Sequence, residues 1–111
     1  MANKRAAKRC RIYQIDRVDS EFAFREYGYV LSKGISAPPS DVYKVVFDGQ
    51  LKTEELEKIF EIFNIAHPKE FSGHSLSVSD IIELYENDNR SFYYCDIFGF
   101  KEISFTPIEN G

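Results

Sequence analysis

Leu56, Ile59, Phe60 and Phe63 fall at i, i+3, i+4 and i+7 within the segment TEELEKIFEIFN. That spacing sets four apolar side chains on one stripe of a helix, and such a stripe has to be covered by another layer. A helix over residues 53–64 is therefore the firmest constraint on the fold. Thr53 suits its N-cap, Glu54 and Glu55 stand in the first turn where the helix dipole favours acids, and Asn64 suits its end.

The covering layer is legible as strands. CRIYQID (10–16) has Tyr13 and Ile15 on one parity and Ile12 on the other, the pattern of a largely buried strand. DVYKVVFDGQL (41–51) alternates Tyr43, Val45 and Phe47 against Lys44, Val46 and Asp48, with a turn expected at Asp48-Gly49. VSDIIELYE and SFYYCDIF read as two strands joined by the polar turn Asn87–Arg90, and Gly99 leads into a last strand, FKEISF. Between them, SEFAFREYGYVLSKG is a short helix or extended segment closing at Gly34, and Pro38-Pro39 forces a loop. This order predicts an α+β domain, one main helix on a mostly antiparallel sheet. A chain of 111 residues has room for one core. It divides into a flexible basic arm (1–9), a single domain (10–106) and a tail (107–111).

Charge narrows the function. Lys4, Arg5, Lys8, Arg9 and Arg11 crowd the first eleven positions, leaving 9 basic against 18 acidic residues in the rest. Phosphate contacts need clustered cations, so a body that acidic is a poor general binder of nucleic acid, and the basic head reads as a solvated terminus. No run of seven apolar residues opens the chain, which argues against a secretory leader and a membrane span. Cys10 and Cys95, far apart and without metal-ligand spacing, read as reduced thiols of a cytoplasmic protein.

The stretch EFSGHSLSVSD (70–80) carries the chemically suggestive residues. His74, Ser75 and Asp80 have the residue types of a nucleophile triad, but there is no GxSxG elbow and adjacent side chains of an extended segment diverge. His67, His74 and Asp80 match no zinc spacing, and Asp96 would join them only if the fold brought it there. Asp80 with Glu83, or Asp96 with Glu102, read as solvated carboxylates. No metal or cofactor is expected.

The structural reading of the same stretch gives Gly73 a positive φ, lets Ser79 and Asp80 bond backbone N–H groups just beyond them, and leaves the serines as the hydroxyl face of an extended segment. His74 is then expected as a buried imidazole between two carbonyls rather than at a surface site. An exposed extended segment can accept a partner strand. One helix covers one face of a sheet, so some of Phe92, Tyr93, Tyr94, Phe98 and Phe100 should be exposed and form an interface.

IFNIAHPKEFSGHSLSVSDIIELYE followed by FYYCDIFGFKEI resembles the YodL-like domain family. Phe63-Asn64, His67-Pro68, Gly73-His74-Ser75, Ser79-Asp80 and Asp96 with Phe98-Gly99-Phe100 carry the likeness, and IYQID and VYKVVFDGQL fit it. Ala66 and Cys95 depart from it, and neither changes the reading. The resemblance implies a small domain of bacteria and their mobile genetic elements, in an accessory or regulatory role, and no catalytic residue or cofactor to carry over.

The expectation is a non-enzymatic cytoplasmic protein-interaction module. His74, Ser75, Ser77 and Asp80 would orient its surface, and Phe98 and Phe100 would anchor an unidentified protein partner or a second copy of the chain. Two alternatives remain. One is an acidic decoy for a host defence or restriction nuclease; the other is an enzyme using His74 and Asp80 in a shared pocket.

Overall fold

A computed structural model describes residues 9–16, 19–66, 68–69 and 71–108. Most of the basic head, together with His67 and Glu70, lies outside them. The elements in chain order are β1 (Arg9–Ile15), α1 (Tyr27–Ser32), β2 (Tyr43–Gln50), α2 (Leu56–Ile65), β3 (Ile81–Glu86), β4 (Asn89–Cys95) and β5 (Phe100–Ile103), with a short 3-10 turn, Ser40–Val42, before β2. The strands form one sheet in the order β2-β1-β3-β4-β5, and every neighbouring pair is antiparallel. The α+β expectation holds, with α2 the longer helix and the short α1 lying in the segment read as a short helix or extended.

The second helix matters because it closes the other face. Ile59 and Phe63 of α2 bury completely against Cys10, Ile12, Phe47, Ile82 and Leu84. Burying a side chain of that size removes it from water at a gain of about 1.5–3 kcal/mol. The opposite parity, Tyr13, Ile81, Phe92 and Tyr94, packs under Phe22, Val30 and Phe105. The helix α1 and the segments around it thus cover the face that was expected to lie open. Of the five rings in the β4–β5 region, Phe92 and Tyr94 are buried, Tyr93 and Phe100 are half-buried, and Phe98 alone is exposed.

The sheet departs from strict alternation at one place. Ile12 pairs with Phe47 and Tyr13 with Val45, so Val46 is an extra residue on β2. This bulge turns Val46 and Phe47 into the same core, while Val45 is exposed. It also turns the Val46 carbonyl toward Ser72, whose N–H it accepts at 2.9 Å. The 71–80 loop is fastened to the sheet there.

Several boundaries differ from expectation, β3 starting at Ile81, β4 ending at Cys95 and β5 at Ile103 among them. β2 continues through Asp48-Gly49, because Gly49 makes room for the Phe47 ring and Asp48 faces Arg11. The helix α2 begins at Leu56, with the Thr53 hydroxyl accepting the N–H of the capping residue Glu55 from two positions before it, and it runs past Asn64 to Ile65. The β3–β4 turn is two residues, Asn87-Asp88, with Asn87 left-handed at φ 57°. Among the described residues no helix is long and apolar enough to cross a membrane.

Candidate functional site

The loop 71–80 is shaped by one side chain from β1. Gln14 is buried, with its amide held between the backbone N–H and C=O of His74 and a carboxylate. Its Nε2 donates to the His74 carbonyl (2.7 Å) and to Asp80 Oδ2 (3.0 Å), and its Oε1 accepts the His74 N–H (3.1 Å). A buried amide that makes all three bonds fixes the loop in one register. Gly73 fits this arrangement by having no side chain: a Cβ there would stand 2.0 Å from Gln14 Oε1. Its φ is not positive, so the expectation of a turn glycine is corrected to one of close approach.

Left-handed backbone falls instead on Ser79 (φ 86°) and Phe24 (φ 61°), which are joined by the Phe24 N–H donating to Ser79 Oγ at 3.0 Å. Residues 77–80 form a turn, with the Asp80 N–H donating back to the Ser77 carbonyl. The stretch therefore offers no extended edge for a partner strand. The Ser79 N–H donates to the Cys95 carbonyl and the Cys95 N–H to the Asp80 carbonyl, which locks the turn to the end of β4.

Asp80 is 1% exposed and accepts the Ser77 N–H (2.8 Å) on the oxygen that Gln14 also reaches. It bonds backward to Ser77, not forward as expected. Burial pushes its carboxyl up to about 7, against the opposing pull of the Ser77 N–H, Gln14 and His74. His74 is exposed, which overturns the buried reading. Its Nδ1 meets the Ser75 carbonyl oxygen at 2.7 Å, and its ring lies 5.9 Å from that of Phe24. Ser75 is exposed, and Ser77 is half-buried with its hydroxyl donating to the Ser75 carbonyl.

Gln14, Asp80, His74 and Phe24 line a cavity of about 230 Å³, so His74 and Asp80 do share a pocket. The Ser75 hydroxyl does not complete a triad there, since the imidazole turns to a carbonyl and not to that hydroxyl. The thiols are equally unsuited to attack: burial pushes both up, Cys10 to about 12.

Phe98 and Phe100 lie apart from this cavity, on the same end of the sheet. Asp96 Oδ1 accepts the N–H groups of Tyr27 and Ile97, and Gly99 takes φ 78° with its carbonyl accepting the Asp96 N–H. That clamp holds the hairpin tip with Ile97 58% and Phe98 88% exposed. Phe100 leans back onto Phe60 of α2 (6.2 Å). Asp96 is thus committed to backbone, and among the described residues no group of three His, Cys, Asp or Glu could hold a metal.

Two further residues organise the chain: Gln14, which was not singled out from sequence, and Glu83, which with Asp80 was read as a solvated carboxylate and is corrected, since both are buried. Glu83 is fully buried in β3, accepting the Tyr13 hydroxyl (2.6 Å), Arg11 (3.1 Å) and Arg90 (2.6 Å). The signal was available: each is a polar residue inside an apolar strand run, IYQI and IIELY.

No curated protein and no solved structure matches the chain. The family model for the YodL-like domain matches residues 9–105, the whole of the described sheet and both helices. The chain belongs to the YodL-like domain family.

Proposed function

We propose that this domain is a non-enzymatic, cytoplasmic protein-interaction module, accessory or regulatory to bacterial or mobile-element biology, and that it engages its partner through the tip of the β4–β5 hairpin. The observation that carries the reading is Phe98, 88% exposed beside Ile97 at 58% on a tip of clamped backbone. Turn tips are ordinarily polar, and two adjacent large apolar side chains on one gain nothing for the isolated fold. Asp96 and Gly99 fix the tip before any partner arrives, which lowers the ordering cost of binding. An aromatic held that way suits an apolar recess on another protein.

Phe100 supports the tip from beneath by its contact with Phe60. His74, Ser75 and Ser77 stand on the same end of the sheet, with Asp80 fixing their loop from below, and give that rim a polar flank. The test compares the wild type with Ile97→Ser/Phe98→Ser in capture from a native lysate, with unfolding curves for both. Loss of a specific partner with the fold intact supports the reading. Identical captures overturn it.

A further inference from the structure

The cavity under Phe24 suggests a second, different site, which does not depend on the hairpin tip. We propose that it binds an organic cation, a guanidinium or primary alkylammonium group, seated between the Phe24 ring and the Asp80 carboxylate.

Asp80 is nearly inaccessible yet lines the cavity. Both hydrogen bonds it accepts end on Oδ2, and no described residue donates to Oδ1. Among the described residues no fully enclosed side-chain oxygen lacks a partner, so Oδ1 opens on the cavity. A carboxylate oxygen placed there is a ready acceptor for a charged N–H donor.

The aromatic wall is the second observation. Phe24 sits at φ 61° and Ser79 at φ 86°, two left-handed non-glycine residues bonded to one another across the cavity. Backbone strain of this kind costs about 1–3 kcal/mol per residue and gathers at ligand clamps. The fold recovers little from it at Phe24, which is 60% exposed, with its ring 5.9 Å from that of the exposed His74. Phe24 and Asp80 line the same cavity, and an aromatic ring and a carboxylate in one cavity suit a cation.

The charges around the carboxylate leave this assignment in place. Lys44 of β2 is paired with Asp16 at 3.2 Å, and His74 bonds the Ser75 carbonyl through Nδ1. Burial keeps Tyr43, Tyr94 and Cys95, the other titratable groups that sense Asp80, in their neutral forms. Asp80 therefore carries the net charge of the lining when ionised, and a cation would favour that ionised form.

The test is an amide-resolved NMR titration of the whole chain with methylguanidinium and n-butylammonium, with sodium acetate as the control. Saturable shifts at Phe24, Gly73, His74, Ser79 and Asp80 are expected from the cations alone. Because the cation displaces the Asp80 proton, binding at pH 8 should be about tenfold tighter than at pH 6. Asp80→Asn keeps an oxygen for Ser77 and Gln14, stays folded and abolishes binding; Phe24→Leu weakens it severalfold. A capped arginine amide binding more tightly than either small cation would point to a partner's side chain as the source, the reverse order to a diffusible amine. Absence of saturable shifts at pH 8, equal binding by Asp80→Asn, or equal shifts from acetate overturns the proposal.

Discussion

Gln14 grips His74 by both of its backbone polar groups: its side-chain amide donates to the His74 carbonyl at 2.7 Å and accepts the His74 N–H at 3.1 Å. The loop 71–80 is tied to the sheet by this clasp as much as by its own turn. Gln14→Leu keeps the volume and leaves the His74 groups and one Asp80 bond unmet. Orphaned buried polar groups cost about 1–3 kcal/mol. A loss in that range in urea unfolding is expected, with amide exchange at residues 73–80 faster than elsewhere in the chain.

Gly73 and Gly99 should fail for opposite reasons. A Cβ at Gly73 collides with Gln14 Oε1, whereas one at Gly99 meets nothing within 4 Å but must sit at φ 78°. Gly73→Ala is expected to lower stability by about 1–3 kcal/mol through overpacking. Gly99→Ala should lose about 1 kcal/mol through backbone strain alone. Asparagine, which tolerates left-handed backbone, should rescue the second position and worsen the first, as measured by thermal unfolding.

Glu83 balances two guanidiniums from inside the sheet, with Arg11 at 3.1 Å and Arg90 at 2.6 Å. Glu83→Gln keeps the shape and removes the charge. Breaking a buried ion pair from one side costs about 3–5 kcal/mol, and here Arg11 keeps Asp48 at 3.1 Å. The partial exposure of both arginines places this case at the lower end of that range, readable as a shift in the denaturant midpoint.

The Asp80 carboxyl gives stability a pH dependence of unusual sign. An ordinary aspartate titrates near 3.8, whereas burial pushes this one up to about 7. Between those values the folded chain holds a proton that the unfolded chain has released. The contribution is therefore complete below the ordinary aspartate range and is lost as pH rises through about 7. Its slope is at most about 1.4 kcal/mol per pH unit. Asp80→Asn, which cannot titrate, should be free of this slope, so the difference between variant and wild type should grow in the variant's favour from pH 4 to pH 8.

The helix α2 and the strands were legible because their apolar residues keep one period each. Phe63 and Ile59 lie on the stripe that the spacing specified, and both are fully buried. The second covered face was not legible, since Phe22 and Val30 come from a segment without clean periodicity and Phe105 lies past the end of β5. Nor was the bulge at Val46, which depends on pairing across β1 and leaves no mark within β2. In the loop, His74 and Asp80 stood out together in the sequence, and both line one cavity. Gln14, which holds that cavity together from 60 residues away, could not be connected to it by any local pattern.

The central claim is that a partner docks on the Ile97-Phe98 tip. The most direct measurement places the photo-crosslinking residue benzoylphenylalanine at position 98 in native lysate, with position 61 on the exposed face of α2 as control. The account predicts one discrete crosslinked species from position 98, absent from position 61 and lost when Ile97→Ser is added. A species of twice the chain's mass would identify a second copy as the partner. No discrete species from position 98, or the same species from both positions, would contradict it.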